Sequence, residues 1–121
     1  MSLEGRRVLI VEDEAIIAMT AEDMLEQIGF TVAGVAASFA EAMAAVERGG
    51  FDVALLDINL NGVASHPVAE RLQEIGKPFV FATGYGSAGR GGEYENVPLV
   101  TKPYRIAALE AAIKLALGQS G

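Results

Sequence analysis

The chain has 121 residues, 51% hydrophobic and 21% charged, with a formal net charge of -7 and no cysteine. Its length suits one domain around one core, and its composition excludes intrinsic disorder. Disulfides and thiolate metal sites are excluded, and a net acidic chain is a poor partner for nucleic acid, whose phosphates need clustered lysine and arginine.

No apolar run approaches a membrane span, and Val8 to Val11, behind Arg6 and Arg7, is too short for a signal-peptide core. A cytoplasmic domain with no membrane contact is expected. Val8-Leu9-Ile10-Val11 reads as a buried strand that ends in Glu12-Asp13-Glu14. Ile17, Ala21, Met24, Leu25 and Ile28 then recur at helical spacing, with Asp13 as a candidate cap and Gly29 as the stop. Phe30 to Ala36 predicts a second strand. Ser38 and Glu41 form a capping box for a helix carrying Phe39, Ala42, Met43 and Val46, which ends at Gly49-Gly50.

Val53 to Leu56 is a run of four apolar residues and predicts a central strand that leads straight into Asp57. Asn61-Gly62 marks a turn, and Ser65 is placed to cap a helix with Val68, Ala69, Leu72 and Ile75, Pro67 being tolerated in its first turn. Phe79 to Ala82 predicts a fourth strand ending at Thr83. The next nine residues, 84–92, hold five glycines, a penalty of about 1 kcal/mol each for any helix. Leu99-Val100-Thr101 is a short fifth strand before Lys102-Pro103, and Ile106, Leu109, Ile113 and Leu117 form the core stripe of a last helix closed by Gly118. Strand and helix alternate five times, which gives an α/β, doubly wound, five-stranded parallel sheet whose fourth helix is short or poorly ordered.

In such a sheet, ligands bind at the carboxyl ends of the strands. Glu12, Asp13, Asp57, Thr83 and Lys102 all fall there. Singly each has a bland explanation: acids near a helix start, a turn cap, a strand end, an exposed lysine. Jointly they describe a site. Three carboxylates within ~5 Å repel by about 3 kcal/mol per pair at an effective dielectric of ~20, so the cluster holds protons or recruits a cation. Oxygen ligands without histidine or cysteine select Mg2+ or Mn2+. An ionised Asp57 can then act as a nucleophile, with Thr83 and Lys102 left to bind the oxygens of an incoming phosphoryl group.

With these residues in place, the whole chain resembles the response regulator receiver domains of two-component signalling. The resemblance rests on Val8-Leu9-Ile10-Val11-Glu12-Asp13-Glu14, Leu55-Leu56-Asp57-Ile58-Asn59-Leu60, Phe81-Ala82-Thr83-Gly84 and Val100-Thr101-Lys102-Pro103. It implies a flavodoxin-like, CheY-like fold and a single receiver domain over residues 1–121. It also implies that Asp57 accepts a phosphoryl group from a sensor histidine kinase or a histidine phosphotransfer protein. Glu12, Asp13, Asp57 and the backbone carbonyl of Asn59 would bind Mg2+, Lys102 would pair with the phosphoryl group, and Thr83 would move to hydrogen-bond it. The Lys102-Pro103 bond would be cis, and Asn59 and Tyr85 would tune the lifetime of the adduct.

Pro78-Phe79-Val80-Phe81-Ala82-Thr83-Gly84-Tyr85 further resembles the receiver subgroup named for its FAT GUY motif, with the tyrosine one position later. Members of that subgroup have a poorly ordered fourth helix. Two departures from the usual family pattern stand out. Leu60-Asn61-Gly62 replaces a longer turn containing proline, and Leu99 stands where a tyrosine or phenylalanine usually couples to the threonine. Tyr85 is a candidate substitute for that aromatic.

His66 reads as a solvated residue of a helix start, Tyr94 as an exposed loop aromatic, and Met19 and Met24 as core or near-core. The expected protein is a stand-alone phosphorylatable switch that acts as a relay shuttle, a phosphate sink or the regulator of a downstream protein target. One rival is a Mg2+-dependent phosphohydrolase with an aspartyl nucleophile, although no Asp-x-Asp-x-Thr follows the first strand. The other is a receiver-like binding module that needs no phosphorylation, against which the intact Asp57, Thr83 and Lys102 argue.

Overall fold

The structure is a computed structural model that describes residues 5–84, 94 and 96–120, with side chains to residue 118. Tyr85 and most of the glycine-rich segment, including the expected fourth helix, lie outside the described residues.

Five strands form one parallel sheet: β1 (Arg7–Val11), β2 (Thr31–Ala36), β3 (Val53–Asp57), β6 (Phe79–Thr83) and β7 (Leu99–Thr101), in the order β2-β1-β3-β6-β7. The helices are α1 (Ala15–Ile28), α2 (Phe39–Arg48), α3 (His66–Glu74) and α4 (Ile106–Ser120). The all-apolar runs became the interior strands, as expected for strands covered on both faces. All five residues of β3 and of β6 are buried. The edge strand β2 is only partly buried, and its register with β1 slips between Val8 and Leu9, leaving Ala33 out of the pairing.

Successive side chains of a strand point to opposite faces, and the core divides accordingly. Val8, Ile10, Val53, Leu55, Val80, Ala82 and Val100 pack with α1 and α4, joined by Leu25, Leu109 and Ile113. Leu9, Val11, Ala54, Leu56, Phe79 and Phe81 pack with α2 and α3, joined by Val46, Leu72 and Tyr94. Each large aliphatic or aromatic side chain taken fully out of water in these layers contributes roughly 2–3 kcal/mol before the entropy of ordering it.

The helix ends are only partly as expected. Ser38 Oγ accepts the Glu41 N–H at 3.1 Å, while Glu41 reaches back to the Ala37 N–H at 2.8 Å, a capping box displaced by one residue. Gly29 closes α1 at φ 117°, donating to the Leu25 and Glu26 carbonyls. Asp13 does not cap α1, because Glu14 holds the N-cap position and makes no side-chain cap bond. Ser65 sits at the N-cap of α3, yet its hydroxyl is buried and makes no hydrogen bond, the local backbone at ψ 9° not being the extended cap conformation. Gly118 does not end α4, which runs on to Ser120.

Three apolar residues are more exposed than their spacing suggests: Met19 at 62%, Ile106 at 38% and Ile75 at 37%. Neither Met19 nor Ile106 is a core residue. Each lies on the outward side of a helix whose apolar residues exceed one stripe. The Asn61-Gly62 turn closes a hairpin, β4 (Asn59–Leu60) with β5 (Val63–Ala64), that is too short to show a strand period in the sequence. Its two turn residues have φ 52° and 88°, the left-handed pair that an Asn-Gly turn supplies.

Candidate functional site

Register brings the acids together. Val11 pairs with Leu56, so Glu12 and Asp57 leave neighbouring strands side by side. Thr83 pairs with Thr101, so Lys102 emerges one residue beyond, its N–H bonded to the Thr83 carbonyl at 2.8 Å. The Lys102-Pro103 peptide is cis, as the resemblance implied. In strand phase, Glu12 follows Val8 and Ile10, Asp57 follows Val53 and Leu55, and Lys102 follows Val100, all on the α1/α4 side. Thr83 follows Phe79 and Phe81 on the other.

Lys102 Nζ donates to Asp57 Oδ2 at 2.9 Å and to Glu12 Oε1 at 3.1 Å. The second oxygen of each acid is also bonded: Glu12 Oε2 accepts the Glu14 N–H and Asp57 Oδ1 accepts the Asn59 N–H, both at 3.1 Å. Glu12, Asp57 and Thr83 are all buried, a costly position for charge and hydroxyl unless they are paired. Burial pushes the Glu12 carboxyl up to about 7, with the Asp57 charge adding to the rise and the Glu14 N–H and Lys102 opposing it. Burial also works against the Lys102 charge, but its two carboxylate partners outweigh it, so the ammonium titrates above the usual lysine range.

Glu12, Asp13 and Asp57 each offer a carboxylate oxygen within 4.8 Å of the others, so these residues fit a hard divalent cation such as Mg2+ or Mn2+. The group opens into a cleft of about 920 Å³ lined by Asp13, Asp57, Asn59, Asn61, Thr83 and Lys102, with Ile17 and Thr20 of α1 along one wall. The candidate residues Asp57, Thr83, Lys102, Glu12, Asp13 and Asn59 thus meet in one place. Tyr85 is not among the described residues.

Three residues carry more than their sequence context suggested. Tyr104 lines the cleft directly after the cis bond. Burial, and then the charges of Glu12 and Asp57, hold its phenol above the usual tyrosine range. An aromatic right after Lys-Pro was the available signal. His66 is half-buried rather than solvated, its ring centroid 6.0 Å from Phe81 and 5.6 Å from Tyr94. Tyr94 is not an exposed loop aromatic but 3% exposed, set edge-on to Phe81 at 5.5 Å. Leu99 pairs with Phe81 and is half-buried against the same layer.

Comparison with known proteins gives the same assignment. A family model for the response regulator receiver domain matches residues 8–114. The chain is 36% identical to the phyllosphere-induced regulator PhyR of Methylorubrum extorquens over 91% of its own length and 43% of the relative's. It is 33% identical to the transcriptional regulatory protein YkoG of Bacillus subtilis over 98% of its length and 54% of that protein's. It therefore spans about half the length of the curated relatives it matches. The solution structure of SdrG from Sphingomonas melonis superposes with a TM-score of 0.84 at 42% identity, covering 97% of this chain and 99% of SdrG. A BeF3-activated conformation of SdrG superposes with a TM-score of 0.81 at 39% identity, covering 96% and 99%. With the acid cluster, the lysine and the threonine at their strand ends and this coverage on both sides, the chain belongs to the response regulator receiver domain family.

Proposed function

We propose that the protein is a phosphorylatable switch in which an oxygen of Asp57 attacks the phosphorus of a phosphohistidine on a sensor histidine kinase or histidine phosphotransfer protein. The P–N bond breaks, the imidazole nitrogen keeps the electron pair, and an acyl phosphate forms on Asp57. Attack by water later returns the carboxylate and inorganic phosphate. The observation that carries this reading is Lys102 held against Asp57 at 2.9 Å in the cleft that also holds Thr83 and two further acids.

Glu12, Asp13, Asp57 and the Asn59 carbonyl would hold Mg2+, which when bound supplies positive charge to the phosphoryl oxygens. Lys102 orients the phosphoryl group and offsets its charge, and the Thr83 hydroxyl donates to it. The Asn59 N–H at Asp57 Oδ1 fixes the carboxylate plane, leaving Oδ2 as the oxygen that exchanges Lys102 for phosphorus.

In the cell this is a single, cytoplasmic receiver of the FAT GUY kind, acting through a downstream protein as relay shuttle, phosphate sink or regulator. A net charge of -7 favours protein over nucleic-acid targets. No helix among the described residues is long and apolar enough to cross a membrane.

Acetyl phosphate with Mg2+ tests the reading. One phosphoryl adduct per chain, visible by intact mass and absent in Asp57→Asn, is expected. Phosphate released over many turnovers would point instead to a phosphohydrolase with an aspartyl nucleophile. An adduct that survives Asp57→Asn would end the proposal.

A further inference from the structure

We propose that the outer edge of β2 is the contact surface of a symmetric dimer, in which a second copy of this chain pairs antiparallel with it and the two sheets run on as one. The proposal goes beyond the phosphoacceptor reading of Asp57 and does not depend on it.

The two edges of the sheet differ. β7 has three residues, with Pro98 directly before it and the cis Lys102-Pro103 bond directly after, so it offers little to a further strand. β2 has six residues, Thr31–Ala36, none of them charged and none of them proline. No strand among the described residues pairs with its outer side. Val35 is 42% exposed there. Bare, uncharged edges of this length invite another strand, and charge, proline or a covering segment is the usual protection. The slip in register lies between Val8 and Leu9, so Gly34, Val35 and Ala36 run regularly beside Leu9, Ile10 and Val11.

Gly34 adds a second observation. Its φ is not positive, and a Cβ built on it would meet no atom of the described residues within 4 Å. Neither its backbone nor its packing in this chain requires a glycine. It pairs with Leu9, whose side chain lies in the α2 layer, and with Ala44 and Ala45 it lines a groove of about 550 Å³ along β2. A glycine inside a strand, with open space above it, suits the close approach of another chain.

Charge selects a second copy as that chain. Glu41 Oε1 accepts the Ala37 N–H at 2.8 Å, which places Glu41 at the carboxyl end of β2. Arg7 pairs with Thr31 and donates from Nε to the Gly50 carbonyl at 2.7 Å, so Arg7 and Arg48 stand at the amino end. All three are exposed and line the groove. A two-fold axis through Gly34 and Val35 exchanges the ends and sets Arg48 of each copy toward Glu41 of the other. β1 repeats the polarity, from Arg6-Arg7 at its start to Glu12-Asp13-Glu14 after its end. A surface basic at one end and acidic at the other is complementary to its own antiparallel copy.

Sedimentation equilibrium of the full chain over a wide concentration range tests the proposal. The wild type is expected to show a monomer–dimer equilibrium. Val35→Lys puts a charge on the edge and raises the dissociation constant at least about tenfold. Arg48→Glu raises it about tenfold, and the double variant Arg48→Glu, Glu41→Arg recovers most of the loss because the exchanged ends remain complementary. A wild type that stays monomeric throughout, or a dimer that Val35→Lys leaves intact, would overturn the proposal. Should Val35→Lys not fold, an unchanged dissociation constant in Arg48→Glu, a change on an exposed helix position, would do so. Amide shifts beside Asp57 on adding beryllofluoride with Mg2+, a phosphoryl mimic, examine the phosphoacceptor reading separately, so either reading can fail while the other stands.

Discussion

On the α1/α4 side of the sheet the strands contribute Val8, Ile10, Val53, Leu55, Val80 and Val100, and the polar residues that continue this phase are Glu12, Asp57 and Lys102. On the α2/α3 side the β6 strand contributes Phe79 and Phe81, the ring contacts with Tyr94 and His66 all lie there, and the polar residue in phase is Thr83. The strand ends in phase with the aliphatic layer thus carry ionisable groups, and the one in phase with the aromatic layer carries a hydroxyl. The same period-2 alternation that builds a two-sided core ends adjacent strands with Asp57 in phase with one layer and Thr83 in phase with the other, both at the rim of one cleft. Ring packing is directional, with edge-to-face geometry preferred, as the contacts among Phe79, Phe81 and Tyr94 have it.

The comparison breaks first at Phe81. Truncating it to alanine removes a fully buried ring and costs about 4 kcal/mol, measured by urea unfolding. Its neighbour Val80, equally buried on the aliphatic side, costs about half as much as Val80→Ala. Equal losses would mean that the aromatic layer is not specially packed. Next is Lys102→Met, which leaves Glu12 and Asp57 facing each other without their shared cation. In the absence of divalent metal the expected loss is about 3 kcal/mol above the Glu12 midpoint. It shrinks at lower pH, where Glu12 takes up a proton, and added Mg2+ restores part of it. A loss that pH and Mg2+ leave unchanged would show that Lys102 acts by packing alone.

Much of this division was legible in the chain. Buried strands, helical stripes and polar strand ends are local patterns, so the five sheet strands and the residues Glu12, Asp13, Asp57, Thr83 and Lys102 could be placed without long-range information. The aromatic layer could not be. Tyr94 and His66 are far apart in sequence, and their ring contacts with Phe81 and with each other form only in the fold. Met19 and Ile106 failed in the opposite direction, because an apolar residue at helical spacing does not reveal on which side of a broadly apolar helix it falls. The β4/β5 hairpin showed only its Asn-Gly turn, since strands of two residues have no period to read.

The third test concerns pH. Burial holds the folded Glu12 carboxyl at about 7, above its ordinary value of 4.5. The folded state therefore keeps a proton that the unfolded chain releases, and this group favours folding fully below pH 4.5. Its contribution is lost as the pH rises through about 7. Metal-free protein should lose stability over that window, and Glu12→Gln should flatten the slope. An unchanged slope in Glu12→Gln would assign the titration elsewhere.

The smallest effect separates the helix starts of the two layers. On the aromatic side, Ser38 caps α2 through the Glu41 N–H, so Ser38→Ala should cost about 1 kcal/mol and leave the beryllofluoride shifts beside Asp57 in place. On the aliphatic side, α1 begins without a side-chain cap at Glu14, whose N–H is given instead to Glu12 Oε2. Glu14→Ser offers that end a conventional cap, which in isolation would stabilise it. Here the new hydroxyl needs N–H groups further into α1, while the Glu14 backbone stays bound to the acid cluster. A gain well below that of a free helix end is therefore expected, and it would show that the start of α1 is shaped by the site. A full gain of about 1 kcal/mol, with Mg2+ affinity unchanged, would show that the site makes no such demand on it.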